Sequence, residues 1–585
     1  MSAILGVSGL AESVRFKREH WPGLEERDYR ISQGFDAAAA LVVDGVVVAA
    51  AAEERFNRRK QSGDFPVEAI EYCIGQAGLS MADVDEIAHC FDYAPFGEIF
   101  SLDSTSAKLY EEVFSREALV AQVRRHFPKF NPERVHSVSH HLSHAASAYF
   151  TSGWDECLVV VLDAMGETQS GSIFRGTGGN LEKLREISAN DSLGILYSLV
   201  TYHLGFDFNS DEYKIMGLAP YGDPRQFEGA FQQMIECRPD GTVRIPILRL
   251  NRTRDERENY LQTRDWLSRN LLPRREPDAE ITQAHRDVAA ALQAALNRAI
   301  LHICGHFGAT MGLRKIAMAG GVALNCSANG KLTRSGLFDE VYVQPAAGDD
   351  GAALGAALHR ASLNGEVINQ RFPVPFLGPS HPASEVDAAL KDFGDAIRVT
   401  SLGSTEETCV RAARMIHEGK VVAWYRGPME FGPRALGNRS ILADPSNPEM
   451  RDRVNAMVKK REAFRPFAPA VTIEEIHRWF DVPPMRSLPY MIATVNVREE
   501  YRAMLPAITH VDGTARVQTV EARDNPAFHA LLKALGQVSG REIVLNTSFN
   551  IKGQPIVNTP REAIETFLGT GIDCLFIENN LVSRA

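Results

Sequence analysis

No two of the eight cysteines form a Cys-x-x-Cys pair; Cys73, Cys90, Cys157, Cys237, Cys304, Cys326, Cys409 and Cys574 are scattered along the chain. That spacing excludes a disulfide framework and a thiolate zinc site, and fits reduced thiols in a cytosolic enzyme. Unbroken apolar runs are scarce. The longest, Ala37 to Ala52, is split by Asp44-Gly45, so no membrane-spanning helix is expected. The opening Met1-Ser2-Ala3-Ile4 has no basic stretch ahead of an apolar core, so the expected location is the cytoplasm. Positive charge is also in deficit: 63 Lys and Arg stand against 74 Asp and Glu, a net charge of −11. This argues against a nucleic-acid or membrane partner and leaves small anions as ligands.

What is present is an ordinary globular composition, with 44% hydrophobic and 23% charged residues, which excludes fibrous and disordered classes. A length of 585 residues suits about four domains, or two large ones built from duplicated α/β halves. Ile4 to Ser8 reads as a buried strand, and Ala37-Val43 and Val46-Ala52 read as strands joined by an Asp-Gly turn. A similar unit recurs at Cys157-Leu162 and Gly171-Phe174, so the pattern predicts a duplicated core. Helical patterning covers Pro66 to Ala77, Ser115 to Phe127, Ser139 to Tyr149 and Ala284 to Phe307. Further strands are expected at Lys315-Ala319 and Val341-Val343, each running into a turn and a helix. From Leu363 to Pro382 the periodicity fails amid four prolines, which places a domain boundary there. Beyond it the pattern predicts a helix from Glu406 to Glu418, a strand from Val421 to Tyr425, a helix from Pro448 to Lys460 and a strand from Glu542 to Leu545. Arg249 to Arg275 mixes both signs of charge and reads as a solvated helical insertion.

His140 and His144 are four residues apart, so one face of a helix presents both to a single cation. Asp163 and Asp349 each follow an apolar strand, where α/β proteins place their sites. Two imidazoles and two carboxylates suit Fe(II), Mn(II) or Zn(II) better than Mg(II) or Cu(I). Gly320-Gly321 lies between a strand and a helix, where missing side chains let the backbone approach a nucleotide. Asp350 reads as a cap of the following helix. Between Arg451 and Arg465, Arg451, Arg453, Lys459, Lys460, Arg461 and Arg465 face only Asp452 and Glu462 as acids. The last of these run into the rigid Phe464-Arg-Pro-Phe-Ala-Pro469, a setting suited to phosphate, and Arg434 and Arg439 could join it. Asn546 to Gly553 offers hydroxyls and amides for a polar head group, or for turns.

These residues resemble the NodU/CmcH-type O-carbamoyltransferases over nearly the whole chain. The likeness rests on Glu53-Glu-Arg-Phe56, His140-His-Leu-Ser-His-Ala-Ala-Ser147, Ser192-Leu-Gly-Ile-Leu-Tyr197, Lys214-Ile-Met-Gly-Leu-Ala-Pro-Tyr-Gly222 and Gly320-Gly-Val-Ala-Leu-Asn325. It continues through Gly432-Pro-Arg-Ala-Leu-Gly437, Phe464-Arg-Pro-Phe-Ala-Pro469 and Asn546-Thr-Ser-Phe-Asn550. The resemblance implies an α/β protein: a duplicated ASKHA (actin-like ATPase) domain over 1–370, then a YrdC-like domain over 380–585 that makes carbamoyl adenylate from carbamoyl phosphate and ATP, with Mg accompanying the ATP. The first domain then moves the carbamoyl group to a hydroxyl of a small molecule, with antibiotics and other secondary metabolites as the acceptor class. The resemblance assigns Fe(II) to His140, His144, Asp163 and Asp349, and catalysis to His140, Asp36, Lys459 and Arg516. Carbamoyl phosphate and ATP fall to Arg434, Lys459, Arg461, Arg465, Arg516, Ser548 and Asn550. Adenylate contacts fall to Gly320, Gly321 and Asn325.

Such residue types fit the chemistry, since two polyanions come together only where cations cancel their repulsion. Carbamoyl adenylate hydrolyses readily, so the intermediate is expected to stay enclosed between its formation and its use. Two departures stand out. Many members of the family have His-Asp where this chain has Phe35-Asp36, and Asp-Gly-x-Gly-Glu here reads Asp163-Ala-Met-Gly-Glu167, expected to stiffen the turn. Ala11 to Ile31, containing Trp21-Pro22, is inserted after the first strand and is a candidate wall of the acceptor pocket. The competing readings are a tRNA threonylcarbamoylation enzyme, opposed by the acidic charge, and a nucleotide-binding regulator without turnover, opposed by the presence of both residue sets. The oligomeric state is left open, a homo-oligomer included.

Overall fold

The structure is a computed structural model describing residues 1–368, 375–459, 461–483 and 487–585. Two compact units make up the chain: Met1–Glu54 with Gln61–Phe372, and Arg55–Lys60 with Pro373–Ala585. Arg55–Lys60 groups with the second unit although its flanks belong to the first. Arg55 donates to the Gly432 carbonyl at 3.0 Å, and Arg58 pairs with Glu562 at 3.0 Å.

The first unit holds two five-stranded sheets of one design. Strands β1 (Ala3–Val7), β2 (Ala38–Val43), β3 (Val46–Ala52), β4 (Glu86–His89) and β5 (Val135–Ser137) lie in the order β3-β2-β1-β4-β5. The β1-β2-β3 meander is antiparallel, and β4 and β5 run parallel to β1. In the second sheet β6 (Glu156–Gly166), β7 (Gln169–Thr177) and β8 (Asn180–Ser188) form the meander. After a two-stranded ribbon of β9 (Glu236–Cys237) and β10 (Val243–Arg244), β11 (Lys315–Ala319) and β12 (Glu340–Val343) add in parallel, in the order β12-β11-β6-β7-β8. The duplicated core expected from the sequence is therefore present. Both central strands are continuous apolar runs because both of their faces are covered. Asp44 and Gly45 both have positive φ, 48° and 76°, the geometry of a two-residue hairpin turn.

The helix Gln283–Met311 is long and apolar enough to cross a membrane by length and composition, and 67% of its most apolar window is buried within the fold. It is the long helix expected over Ala284 to Phe307. The segment Arg249 to Arg275 is helical and exposed along one side as expected, but it is not wholly solvated, because it also docks on residues 11–31. Trp21 donates to Asp255 at 3.1 Å beneath the Arg254 guanidinium, and Arg264 pairs with Asp28 at 3.3 Å. Buried Lys17 donates to the carbonyls of Ile31 and Glu258, each at 2.6 Å, and Arg275 is buried on the Leu204 carbonyl at 2.6 Å. Part of the mixed charge is met by groups of the other segment, while Arg252, Arg257, Asp265 and Arg269 stay exposed.

The second unit is built on an eight-stranded sheet. It comprises β13 (Ile397–Ser401), β14 (Val422–Tyr425), β15 (Arg439–Ala443), β16 (Ala468–Thr472), β20 (Gln518–Val520), β21 (Ile543–Ser548), β22 (Cys574–Ile577) and β23 (Asn580–Arg584). Strands β17 (Phe480–Asp481), β18 (Thr494–Val497) and β19 (Thr514–Arg516) form a smaller sheet. Helices Thr405–His417 and Pro526–Ser539 cover one face of the large sheet through Leu531, Leu535, Ala412 and Ile416. The helix expected from Pro448 to Lys460 is shorter: α-helix covers Met450–Val454, and Asn455–Lys459 is a wider π turn. Asn455 accepts from Arg461 at 3.0 Å, which draws the chain out of the α-helical path.

Candidate metal centre and anion site

In the first unit, the helix His140–Ser152 starts just after β5, and almost all of it is buried. His140 and His144, one turn apart, bring their Nε2 atoms to 3.1 Å from each other. Asp163 near the end of β6 lies 3.2 Å from His140 Nε2, and Asp349 lies 3.5 Å from both rings. One ligand atom from each residue falls within 4.8 Å of the others. Bonds of 2.0–2.1 Å around a tetrahedral ion put ligand atoms about 3.3 Å apart, so the set fits a divalent cation. Asp349 opens the helix Asp349–Leu363, which crosses the histidine helix closely because Gly355 has no side chain. A Cβ there would fall 1.7 Å from the Ser143 carbonyl oxygen.

The neighbours fix the ligands. His140 Nδ1–H donates to the Cys90 carbonyl at 3.1 Å, which leaves Nε2 facing the centre, free to bind a cation once it gives up its proton. Phe91 stacks on the same ring at 4.1 Å. Glu167 accepts the backbone N–H of His140 at 2.9 Å and of Asp92 at 2.8 Å, and so anchors the helix start. Gly166 is required by proximity, since a Cβ would fall 2.2 Å from His140 Cδ2. The left-handed residue of this turn is Glu167 (φ 51°), and Ala164 lies without positive φ in the irregular stretch of β6 between Leu162 and Gly166. Burial opposes a charged His140, yet Asp349 and Asp163 outweigh it and hold the ring well above its usual pKa. Burial likewise opposes both carboxylates, and the imidazoles still keep Asp163 and Asp349 below the usual range. This mutual stabilisation is what a bound cation would replace.

Asp36 has φ 55° and lies near this centre. Burial, then Asp350, Glu54 and Asp349, raise its carboxyl well above the usual range, against the pull of Arg30. The Gly320-Gly321 turn follows β11 with Gly320 at φ 91°, where a Cβ would meet the Leu162 carbonyl at 2.3 Å. The Gly321 N–H donates to Asp163 at 2.9 Å, so this turn holds a metal ligand. Asn325 caps the helix Cys326–Arg334 and exchanges hydrogen bonds with Gln293 at 3.0 and 3.1 Å. Asp350 does not cap its helix: Gly348 is the cap residue, and Asp350 accepts from the Gly351 N–H inside the first turn.

In the second unit, Arg434 lies on a loop held from two sides. Glu430 Oε1 accepts the N–H groups of Leu436 and Asn438 at 2.8 Å each and of Arg439 at 3.2 Å. Gln518 donates to the Leu436 carbonyl at 2.7 Å, and Asn546 donates to the Ala435 carbonyl at 3.3 Å and to Gln518 at 2.9 Å. These bonds tie three segments together: the Arg434 loop, the β19–β20 stretch with Arg516, and β21 with Ser548. Ser548 donates to Asn550 at 2.6 Å, and Asn550 donates to the Gln554 carbonyl at 2.6 Å. Arg461 lies over the Phe467 ring at 4.3 Å, and Arg465 pairs with Glu462 at 3.5 Å. Arg516 is half-buried and makes no hydrogen bond or ion pair among the described residues. The side chain of Lys459, and all of Lys460, lie outside those residues. Arg439 does not belong to the anion site. It is fully buried over Tyr425 at 3.7 Å, with its guanidinium on the carbonyls of Arg426, Gly427, Asn438 and Pro379. Sequence reasoning missed Glu167, Glu430 and Gln518 as supports. Glu167 alone carried a signal, as the last residue of the Asp163 motif.

The model described as carbamoyltransferase N-terminus matches residues 31–95 and 93–358, and that described as carbamoyltransferase C-terminus matches 413–584. Nodulation protein NolNO of Sinorhizobium fredii is 40% identical over 94% of this chain and 79% of its own. Nodulation protein NolO of Bradyrhizobium diazoefficiens is 42% identical over 76% of this chain and 79% of its own. The 3'-hydroxymethylcephem-O-carbamoyltransferase of Amycolatopsis lactamdurans is 35% identical over 46% of this chain and 48% of its own.

Proposed function

Because the chain belongs to the carbamoyltransferase family and is an enzyme of that kind, we propose that it joins carbamoyl phosphate and ATP and passes the carbamoyl group to a small-molecule hydroxyl. In the second unit, carbamoyl phosphate, ATP and water give carbamoyl adenylate, phosphate and pyrophosphate. In the first unit, the acceptor oxygen bonds to the carbamoyl carbon, AMP leaves with the electron pair of the broken C–O bond, and the hydroxyl proton moves to an Asp36 carboxylate oxygen. The observation that carries this reading is Arg516, on the segment tied through Gln518 to the Arg434 loop and to β21, whose guanidinium makes no hydrogen bond or ion pair among the described residues. Such a cation, held by the fold and left unpaired, offers its N–H groups to phosphoryl oxygens.

His140, His144, Asp163 and Asp349 would hold a divalent ion of the Fe(II), Mn(II) or Zn(II) kind, Fe(II) being the one the family resemblance implies, and the ion would supply Lewis acidity to the carbamoyl oxygen or phosphate. The Cys90 carbonyl and Glu167 keep these rings oriented, and Gly321 orients Asp163. Mg enters with ATP. The acceptor is a natural product of secondary metabolism in the cytoplasm, with neither nucleic acid nor membrane as partner. Formation of AMP and pyrophosphate from ATP, measured with and without carbamoyl phosphate, tests the reading. AMP that appears only with carbamoyl phosphate is expected. ATP left intact, or cleaved equally without it, overturns the reading in favour of a regulator.

A further inference from the structure

One motif, Glu53-Glu-Arg-Phe56, has no residue in either candidate site. It opens the stretch Arg55–Lys60, which departs from the first unit and groups with the second. Glu54 and Gln61 close the root of this excursion, with Glu54 Oε2 accepting the Gln61 N–H at 2.7 Å. Arg58 and Gln61, at φ 58° and 55°, turn the chain in left-handed geometry. That geometry is costly for residues with side chains, so it persists only where the surroundings impose it.

The excursion reaches the backbone of two loops. Arg55 is buried, and its Nη2 donates to the carbonyl of Gly432, in the loop that carries Arg434, at 3.0 Å. Arg58 donates to successive carbonyls, Pro555 at 3.0 Å and Ile556 at 2.8 Å, and pairs with Glu562 at 3.0 Å. The carbonyl just before these, that of Gln554, accepts from Asn550, and Asn550 accepts from Ser548. Glu562 Oε2 also accepts the Asn558 N–H at 2.7 Å, so its pair with Arg58 holds the far end of the same loop. Each loop that carries proposed anion ligands thus takes one arginine from this excursion.

We infer that Arg55 and Arg58 are positioning residues of the anion site: Arg55 sets the loop that carries Arg434, and Arg58 sets the loop that carries Ser548 and Asn550. The inference rests on the reading of the second unit as the carbamoyl phosphate and ATP site. Charge-assisted bonds fix where these carbonyls point, and a ligand displaced by about 1 Å costs about 10²-fold in rate. Residues 373–585 therefore do not hold the whole of that site, and residues 55–60 complete it.

The test is the rate of AMP formation by the full-length protein, with carbamoyl phosphate varied at saturating ATP, in wild type, Arg55→Met, Arg58→Met and Arg59→Met. Each variant removes one positive charge from the excursion, but the Arg59 side chain is exposed. Arg55→Met and Arg58→Met should each lower kcat/KM for carbamoyl phosphate about tenfold to a hundredfold, and Arg59→Met should stay within about twofold. Arg55→Lys should restore part of the loss, because an ammonium still reaches one carbonyl. Arg58→Lys should restore little, because lysine lacks the planar fork that spans two. An equal loss in Arg59→Met reduces the effect to net charge, and an unchanged kcat/KM with a lowered melting temperature makes both arginines structural only; either result overturns the inference. Calorimetric titration with phosphonoacetamide, an unreactive analogue of carbamoyl phosphate, separates this failure from that of the reaction. Binding weakened about tenfold in both variants, in a protein that forms no AMP, upholds the positioning and overturns only the proposed reaction. A wild type that neither forms AMP nor binds the analogue removes the site and the inference together.

Discussion

The two candidate sites are built on opposite plans. In the first unit, two imidazoles and two carboxylates crowd together, with Nε2 atoms 3.1 Å apart, His140 pinned by a backbone carbonyl and an aromatic face and Asp163 by a backbone N–H. In the second, the cations are spread over sequence from Arg434 to Arg516, and what the fold fixes is the loop beneath them. A centre for an ion needs ligands already converged, because a small cation cannot bridge a gap. A site for two polyanions needs donors held in place and left open, because the substrates complete the pairing. Geometry therefore picks out the first candidate site, and the unbonded Arg516 Nε points to the second.

The sharpest way to break this contrast is Arg516→Ala. Removal of one positioned donor should lower AMP formation by about 10²–10³-fold while bound metal stays at the wild-type level. Loss of metal in that variant would show that the sites are not separate. Gly166→Ala works from the other side: its Cβ displaces the His140 ring, so metal affinity should fall about 10–100-fold with AMP formation preserved, as read by metal analysis after dialysis. An unchanged metal content would mean that the ring is not a ligand. Next comes Glu430→Ala, which frees the three N–H groups of the Arg434 loop and should raise the KM for carbamoyl phosphate about tenfold, with little change in metal content. A KM at the wild-type value would sever that loop from the anion site.

How much of this could be read from the chain alone differs between the two sites for the same reason. His140 and His144 are a local pattern, one helical turn apart, and Asp163 and Asp349 follow apolar strands, so the ligand set was legible residue by residue. The duplicated sheets were legible too, because strand-turn-strand units repeat near residues 40 and 163. The supports were not. Glu430 serves N–H groups six to nine residues away, and Gln518 reaches a carbonyl 82 residues distant, so neither leaves a periodic trace. Arg439 was misread as an anion ligand because composition does not say which way a guanidinium points. The docking of residues 249–275 on residues 11–31 was hidden because paired charges and solvated charges look alike in sequence.

The smallest effect expected concerns Glu53, at the end of β3 in the first unit. Its side chain is 4% exposed and accepts the N–H groups of Glu68 at 3.4 Å and Ala69 at 2.9 Å. Burial outweighs those bonds and raises its pKa from 4.5 to about 7. The folded state thus holds a proton that the unfolded chain releases above 4.5, so the stability Glu53 provides is complete below that pH and is lost as pH rises to about 7. Calorimetric scans between those limits should show a melting temperature that declines with pH by roughly 2–4 °C, and Glu53→Gln should flatten it. An identical slope in the variant would assign the effect to another group.

The division of labour itself is tested most directly in His144→Ala. The account requires this variant to lose its bound metal yet still form AMP from ATP and carbamoyl phosphate at close to the wild-type rate. Loss of AMP formation in proportion to the lost metal would contradict it and make the two sites one.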